Sequence, residues 1–305
     1  LSGTVAARSS VTVGIKDAPS VKNVTFNITN TLNNHGYTGL AVTSGTRDAQ
    51  GNHYVISPST NTAGVSGSNG ILVTGGTLNN NTDGLNASSR STISVSGLNN
   101  DGVLVKGGNF NDYETQYTVA GNGATDTGNN GISVITGGQA TLYADYFNIS
   151  GTHNNGIASS VTGNSNFIVK GADIDVNGSS NNGIIVAGGG DISLNHDPYN
   201  PVASGGGAWR WNTIKVNGSN NNGILANTAT ITNANGTYNV TSTGSNGIAL
   251  EGTSTLTNGY GTYTVSGNNS NGIVAESGTT LSNVDADFTV SGTNSNGILT
   301  NTSNN

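Results

Sequence analysis

Apolar and polar residues alternate along this chain in short runs, with no sustained helical period. Tyr263-Thr264-Val265 reads apolar, polar, apolar, the two-residue period of a strand that buries one face. Such runs recur beside a short string, Asn-Gly-Ile. Taking its glycine as an anchor gives Gly70, Gly102, Gly131, Gly156, Gly183, Gly223, Gly247, Gly272 and Gly297, with spacings of 32, 29, 25, 27, 40, 24, 25 and 25. The ground period is about 25 residues, with insertions in three units and a degenerate earlier anchor at Gly39.

Apolar residues keep fixed offsets from the anchor. Nine before it stand Ile93, Phe147, Ile174, Ile214, Tyr238, Tyr263 and Phe288, and seven before it Val95, Ile149, Val176, Val216, Val240, Val265 and Val290. An insertion moves this pair to Tyr117 and Val119 in the unit of Gly131. Ile or Val follows each anchor, and a third patch (Leu78, Phe110, Leu142, Ile231, Leu256, Leu281) comes further on. Each unit therefore predicts three short strands separated by turns. Strands this short bury nothing alone, but coiling lets each one pair in parallel with its copy one unit away, about 4.8 Å along an axis. The predicted fold is all-β: a right-handed parallel β-helix, or solenoid, with three short strands per turn.

The residue before the anchor is Asn69, Asn130, Asn155, Asn182, Asn222, Asn246, Asn271 or Asn296, with Asp101 the exception. Asn tolerates the left-handed backbone of a turn, and its amide bonds to copies above and below, so these positions predict a structural Asn ladder. Residues 1–60 read as irregular opening turns, with strands around Val11-Thr12-Val13 and Phe26-Asn27-Ile28 and a loop from Arg47 to Ser59. Residues 61–305 read as regular β-helix with a loop insertion at about 195–211. No polar capping unit follows Gly297-Ile298-Leu299, which predicts a C-terminal continuation beyond this chain.

Composition narrows the classes. The 305 residues include 47 Gly and 49 Asn, only 8% are charged, and Cys and Met are absent. Thiolate metal sites and disulfides are excluded, and no apolar run is long enough for a membrane helix. A net charge of −7 with nine Lys plus Arg argues against a nucleic-acid partner. No cofactor or metal motif is present. Helical bundles are disfavoured by so much Gly and Asn.

A Cys-free, Gly/Asn/Ser/Thr-rich β-helix with Asn-Gly-Ile turns resembles the passenger domains of type V autotransporters. The resemblance is nearest to the AIDA-type self-associating adhesins. It implies secretion and display at the Gram-negative outer membrane, ahead of a C-terminal translocator barrel not contained in this chain. It also implies a non-enzymatic adhesin whose partner is another copy of itself, in aggregation or biofilm, with host glycans or matrix proteins as the alternative.

Candidate chemistry concentrates in one region. The inserted segment holds both tryptophans, and Tyr199, Trp209, Arg210, Trp211 and Lys215 form a candidate ligand site, since exposed Trp stacks on sugar rings or anchors protein partners. The alternative is a loop folded onto the rod. Asp173 and Asp175 are two residues apart on a strand, about 6.5 to 7 Å, within reach of an inverting glycosidase pair. They read equally as solvated carboxylates, with Lys215 one unit up from Asp175. Calcium at Asp173 and Asp175, or at Asp285 and Asp287, is a further reading. Outward Thr213, Thr237, Asn239 and Thr264 are candidates for a self-association face. Residues two after the anchor, such as Leu72, Leu104, Ile185, Leu225 and Leu299, form an outward apolar stripe unless a kink turns them inward.

Overall fold

A computed structural model describes residues 2–4, 12–29, 36–57, 67–81, 90–97, 99–121, 128–159, 165–195 and 210–301. The chain is a right-handed parallel β-solenoid with about 27 residues per turn and no helix among the described residues. Eleven parallel strands, from Thr12–Lys16 to Asn296–Thr300, form the Asn-Gly-Ile sheet. A sheet of nineteen strands wraps the two remaining sides. In one coil the chain passes from Asn69–Val73 in the Asn-Gly-Ile sheet to Thr77–Asn80 on a second side and Thr92–Val95 on a third. It then re-enters the first sheet at Asp101–Lys106. Toward the C-terminal end the second and third sides merge, because Thr255–Val265 and Thr280–Val290 run unbroken for 11 residues each.

The repeat offsets become columns of like side chains. Phe26, Tyr54, Ile93, Tyr117, Phe147, Ile174, Ile214, Tyr238, Tyr263 and Phe288 stand in one inward column. Its aromatic members lie ring on ring: Tyr117 on Phe147 at 4.5 Å and Tyr238 on Tyr263 at 4.4 Å between centroids. Parallel stacking at the rung spacing lets a ring bury its faces against its neighbours in the column. Each fully buried Ile, Val or Phe here is worth about 1.5–3 kcal/mol of transfer free energy. At the C-terminal end, inward Val290 and Ile298 are about 40% exposed, being 38% and 41% accessible.

The corner before the Asn-Gly-Ile sheet departs from the expected chemistry. The left-handed residue is not the Asn beside the anchor but the residue three before it: Asn99, His153, Ser180, Asn220, Gly244, Asn269 and Asn294 have φ of 51 to 69°. The residue two before it is buried: Ser68, Asn100, Asn129, Asn154, Asn181, Asn221, Ser245 and Ser270 are each 1% exposed or less. Their side-chain oxygens form an inner ladder. Asn221 Oδ1 accepts the backbone N–H of Asn181 at 2.8 Å, Asn181 Oδ1 that of Asn154 at 2.8 Å, and Ser245 Oγ that of Asn221 at 3.1 Å. The amides of Asn100, Asn154, Asn181 and Asn221 also donate to a carbonyl four residues back, as Asn221 Nδ2 does to Asn217 at 2.6 Å, and that of Asn129 donates to Gly97 O at 2.7 Å. Corner donors and acceptors that no strand can pair are satisfied this way.

The anchor glycines are required by proximity. A Cβ on Gly223 would stand 2.5 Å from the Gly247 carbonyl oxygen and 2.8 Å from Ile214 Cγ2. The backbone therefore turns Gly and the following Ile inward together, and the residue after them outward. Leu72, Leu104, Ile185, Leu225, Val274 and Leu299 are half-buried on the outer side, and Ser133, Ala158 and Ala249, buried in the same column, break the apolar stripe into segments. The expected loop from Arg47 to Ser59 is mostly strand, with residues 58 and 59 outside the described residues. Thr46–Gln50 and His53–Ile56 are strands, because Ala49, Tyr54 and Ile56 fall on inward columns and are 2% exposed or less. Gly39 is an anchor, with Leu40 beside Ile71 in register.

Replacing Asn221 by Ala should cost about 1–3 kcal/mol, because it strands a buried N–H and carbonyls. Replacing its neighbour Asn222, on the outer side, should cost less than about 1 kcal/mol. Denaturant unfolding of the two variants measures the difference.

Candidate functional site

The candidate residues from the inserted region and the outward Thr/Asn set come together on the third side. Two outward columns run along it. One holds Tyr146, Asp173, Thr213, Thr237, Thr262 and Asp287; the other holds Asn148, Asp175, Lys215, Asn239, Thr264 and Thr289. Thr213, Thr237, Asn239 and Thr264 are thus neighbours of the charged cluster on one surface. Arg210 and Trp211 lead into this side just ahead of Asn212–Val216. Tyr199 and Trp209 lie outside the described residues.

The carboxylates are occupied by cations. Arg210 Nη2 lies 2.6 Å from Asp173 Oδ2, and Lys215 Nζ lies 3.3 Å from Asp175 Oδ1. Tyr146 Oη donates to Asp175 Oδ2 at 3.1 Å. Asp173 and Asp175 are therefore an ion-paired surface network spanning neighbouring rungs. Among the described residues no group of three or more His, Asp or Glu stands where it holds a metal ion. Trp211 is 51% exposed.

The predicted Asn ladder exists, on the outer side of the Asn-Gly-Ile sheet. Nδ2 of each member donates to Oδ1 of the one before: Asn130 to Asp101 at 2.8 Å, Asn155 to Asn130 and Asn182 to Asn155 at 2.9 Å, and Asn222 to Asn182 at 3.1 Å. Asn246, Asn271 and Asn296 continue it at 3.0, 3.0 and 2.9 Å. Among the described residues the run stops at Asp101, which shares its register with Asn69. An ionised carboxylate has no hydrogen to pass on. Burial pushes the Asp101 carboxyl up to about 7, against the opposing effect of the Asn130 bond.

A buried polar cluster went unread in the sequence. Asp112 is fully buried between the second and third sides and accepts Asn80 Nδ2 at 2.8 Å, Thr115 Oγ1 at 2.6 Å and the hydroxyl of Tyr117. Asp145, also fully buried, accepts the Thr115 N–H at 2.8 Å. Burial pushes both carboxyls above the usual carboxylate range, and the proximity of Asp112 adds to the shift at Asp145. The available signal was parity: Asp112 is two residues after inward Phe110. A cleft also lies on the third side, between Trp211, Thr237, Tyr260, Thr262, Asp285 and Asp287.

No family model matches this chain, and no curated protein or solved structure is similar to it. What it does must be read from its own surfaces.

Asp101 yields a pH prediction. Its carboxyl in the folded chain, at about 7, lies above the ordinary 3.8. The fold therefore favours the protonated form, and stability falls as pH rises from about 4 to about 7. Asp101→Asn, neutral at every pH and able to donate to Asn69, should raise the melting temperature more at pH 8 than at pH 4. Thermal melts of both proteins at the two pH values check this.

Proposed function

We propose that this chain is the β-helical rod of a bacterial surface adhesin that associates with further copies of itself through the outer side of its Asn-Gly-Ile sheet. The observation that carries the reading is the uninterrupted ladder from Asp101 to Asn296, with aliphatic side chains three residues further along several of the same strands. An amide has two N–H donors and two acceptor lone pairs. The bond along the ladder uses one of each, leaving a second set free to meet another molecule. Those groups repeat at the rung spacing, so a second copy laid alongside presents the same spacing. Leu72, Leu104, Ile185, Leu225 and Val274 add apolar area in parallel with the amides. Individual contacts of this kind are weak, and a rod of many rungs, displayed in many copies, sums them by avidity.

The resemblance in composition to AIDA-type passengers supports the adhesin setting: no Cys, few charges, and a surface of Asn, Ser and Thr. The Gram-negative surface and the aggregation or biofilm role belong to this proposal. The third side suits self-association less well. Its columns change from rung to rung through Tyr146, Asp173, Thr213, Thr237, Thr262 and Asp287, so two copies cannot pair like with like along its length.

The test compares two four-site variants by analytical ultracentrifugation, and by settling of cells that display them. One carries Leu104→Glu, Ile185→Glu, Leu225→Glu and Val274→Glu; the other carries Glu at Thr213, Thr237, Asn239 and Thr264. The first should weaken association by about tenfold or more, and the second should leave it near the parent level. Circular dichroism melts confirm that both fold. A parent that stays monomeric at high concentration, or association lost only with the third-side variant, contradicts the proposal.

A further inference from the structure

The cleft on the third side joins aromatic rings, hydroxyls and carboxylates in one place among the described residues. Trp211 and Tyr260 are large rings left 51% and 43% exposed. They occupy one outward column with Asn235 on the rung between them: Trp211, Asn235 and Tyr260 directly precede Asn212, Gly236 and Gly261, which pair in register. Asp285 is next in the same column, paired with Tyr260. From Trp211 to Asp285 is three rungs, about 14 Å. The adjacent outward column, two residues along each strand and about 7 Å away, supplies Thr237, Thr262 and Asp287.

Between the columns the surface is bare backbone. Gly236, Gly261 and Ala286 line it. A side chain is excluded at the two glycines by the stacking itself, since a Cβ on Gly261 would stand 2.4 Å from the Gly236 oxygen and one on Gly236 2.8 Å from the Asn212 oxygen. The result is a trench of about 330 Å³ along the rod axis. One wall carries two aromatic rings two rungs apart, the other is lined with hydroxyls, and carboxylates stand at its C-terminal end. A volume of this size holds a small ligand.

We infer that this trench binds a linear oligosaccharide of uncharged hexose units. Flat aromatic faces two rungs apart, about 10 Å, offer stacking surfaces for the apolar C–H faces of two sugar rings. Thr237 and Thr262 both donate and accept, and Asp285 and Asp287 accept strongly from sugar hydroxyls. Along most of the trench a peptide strand would find no ladder to extend, because Asn212–Val216, Gly236–Val240 and Thr255–Val265 are each paired on both edges; only Thr280–Val290, at the carboxylate end, has an edge without a described partner. Charge sets the class. The nearest cations, Arg210 and Lys215, are held by Asp173 and Asp175, while both carboxylates in the trench are exposed. A uronate or sialylated glycan would meet uncompensated negative charge. The site is separate from the Asn-Gly-Ile face, and its occupation leaves the amide ladder accessible.

The experiment titrates the full chain with cellotriose, maltotriose, tri-N-acetylchitotriose, trigalacturonate and sialyllactose, following tryptophan fluorescence and backbone amide shifts. At least one neutral trisaccharide should bind saturably and shift the amides of Gly236 and Gly261, and the two acidic sugars should bind about tenfold more weakly or not at all. Trp211→Ala and Tyr260→Ala should each weaken binding about tenfold or more, with melting temperatures kept near the parent. Asp285→Asn with Asp287→Asn should narrow the gap between neutral and acidic sugars. Binding of none of the three neutral sugars, equal or tighter binding of the acidic ones, or parent-like binding by both aromatic variants would each overturn the inference.

Discussion

The structure depends on one constraint: neighbouring coils must approach within a strand spacing at the Asn-Gly-Ile corner while the chain changes direction there. Two residues meet it. The anchor glycine lets the next coil's carbonyl come close, with Gly247 O only 2.5 Å from where a Gly223 Cβ would be. The residue two before it, a buried Asn or Ser, replaces the backbone bonds lost in the turn with side-chain bonds to the coil below. With both in place, every coil enters the first sheet in the same register. The Ile after the glycine then falls on the Ile of the coil before. The aromatic column and the outer amide ladder follow from that register. Extra length in a unit does not disturb it: the 40-residue unit between Gly183 and Gly223 still pairs Asn182 with Asn222 and Ile184 with Ile224.

The same register divides the surface into two kinds of chemistry. On the Asn-Gly-Ile side one outward column, Asn130 to Asn296, repeats the same residue at every rung, so it matches a copy of itself along the axis. On the third side the outward residues are not bound to the corner and vary, which leaves room for a local feature. Trp211, at the end of the inserted segment, and Tyr260, in a coil where the corner between the second and third sides has straightened, belong to that freedom. Uniform faces suit weak contacts spread over length, and local clefts suit recognition of a small ligand. Both surfaces exist on one rod without competing for residues.

Much of this was legible in the repeat. Fixed offsets placed the inward pairs, such as Tyr238 with Val240 and Tyr263 with Val265, and the parallel register followed from them. The pairing of Lys215 with Asp175 was also readable from the unit spacing. Other features were hidden for identifiable reasons. The inner ladder switches between Asn and Ser, as at Asn221 and Ser245, and stands beside the more regular outer Asn, which draws attention first. Both residue types do the same work because each offers an oxygen to the N–H of the coil below. The left-handed position holds Asn, Gly, Ser and His in different coils, so no single letter marks it. Residues Thr46–Ile56 looked like loop because Arg47, Asp48 and His53 break the apolar pattern, although Ala49, Tyr54 and Ile56 keep the inward parity. The trench was divided between readings. Trp211 was grouped with the insertion and Asp285 with Asp287 as a calcium pair, and only the register of Tyr260 with Asp285 joins them.

The inner ladder holds the register of the coils, and amide hydrogen exchange reaches it directly. The backbone N–H groups of Asn129, Asn154, Asn181 and Asn221 sit at a corner, outside the regular strand pairing, yet each is bonded to a buried side-chain oxygen of the next coil. Their exchange should be as slow as that of the core strand residues Ile184 and Ile224, opening only with the rod as a whole. Exchange at the rate of an exposed turn, while Ile184 and Ile224 stay protected, would contradict the claim that this ladder sets the register.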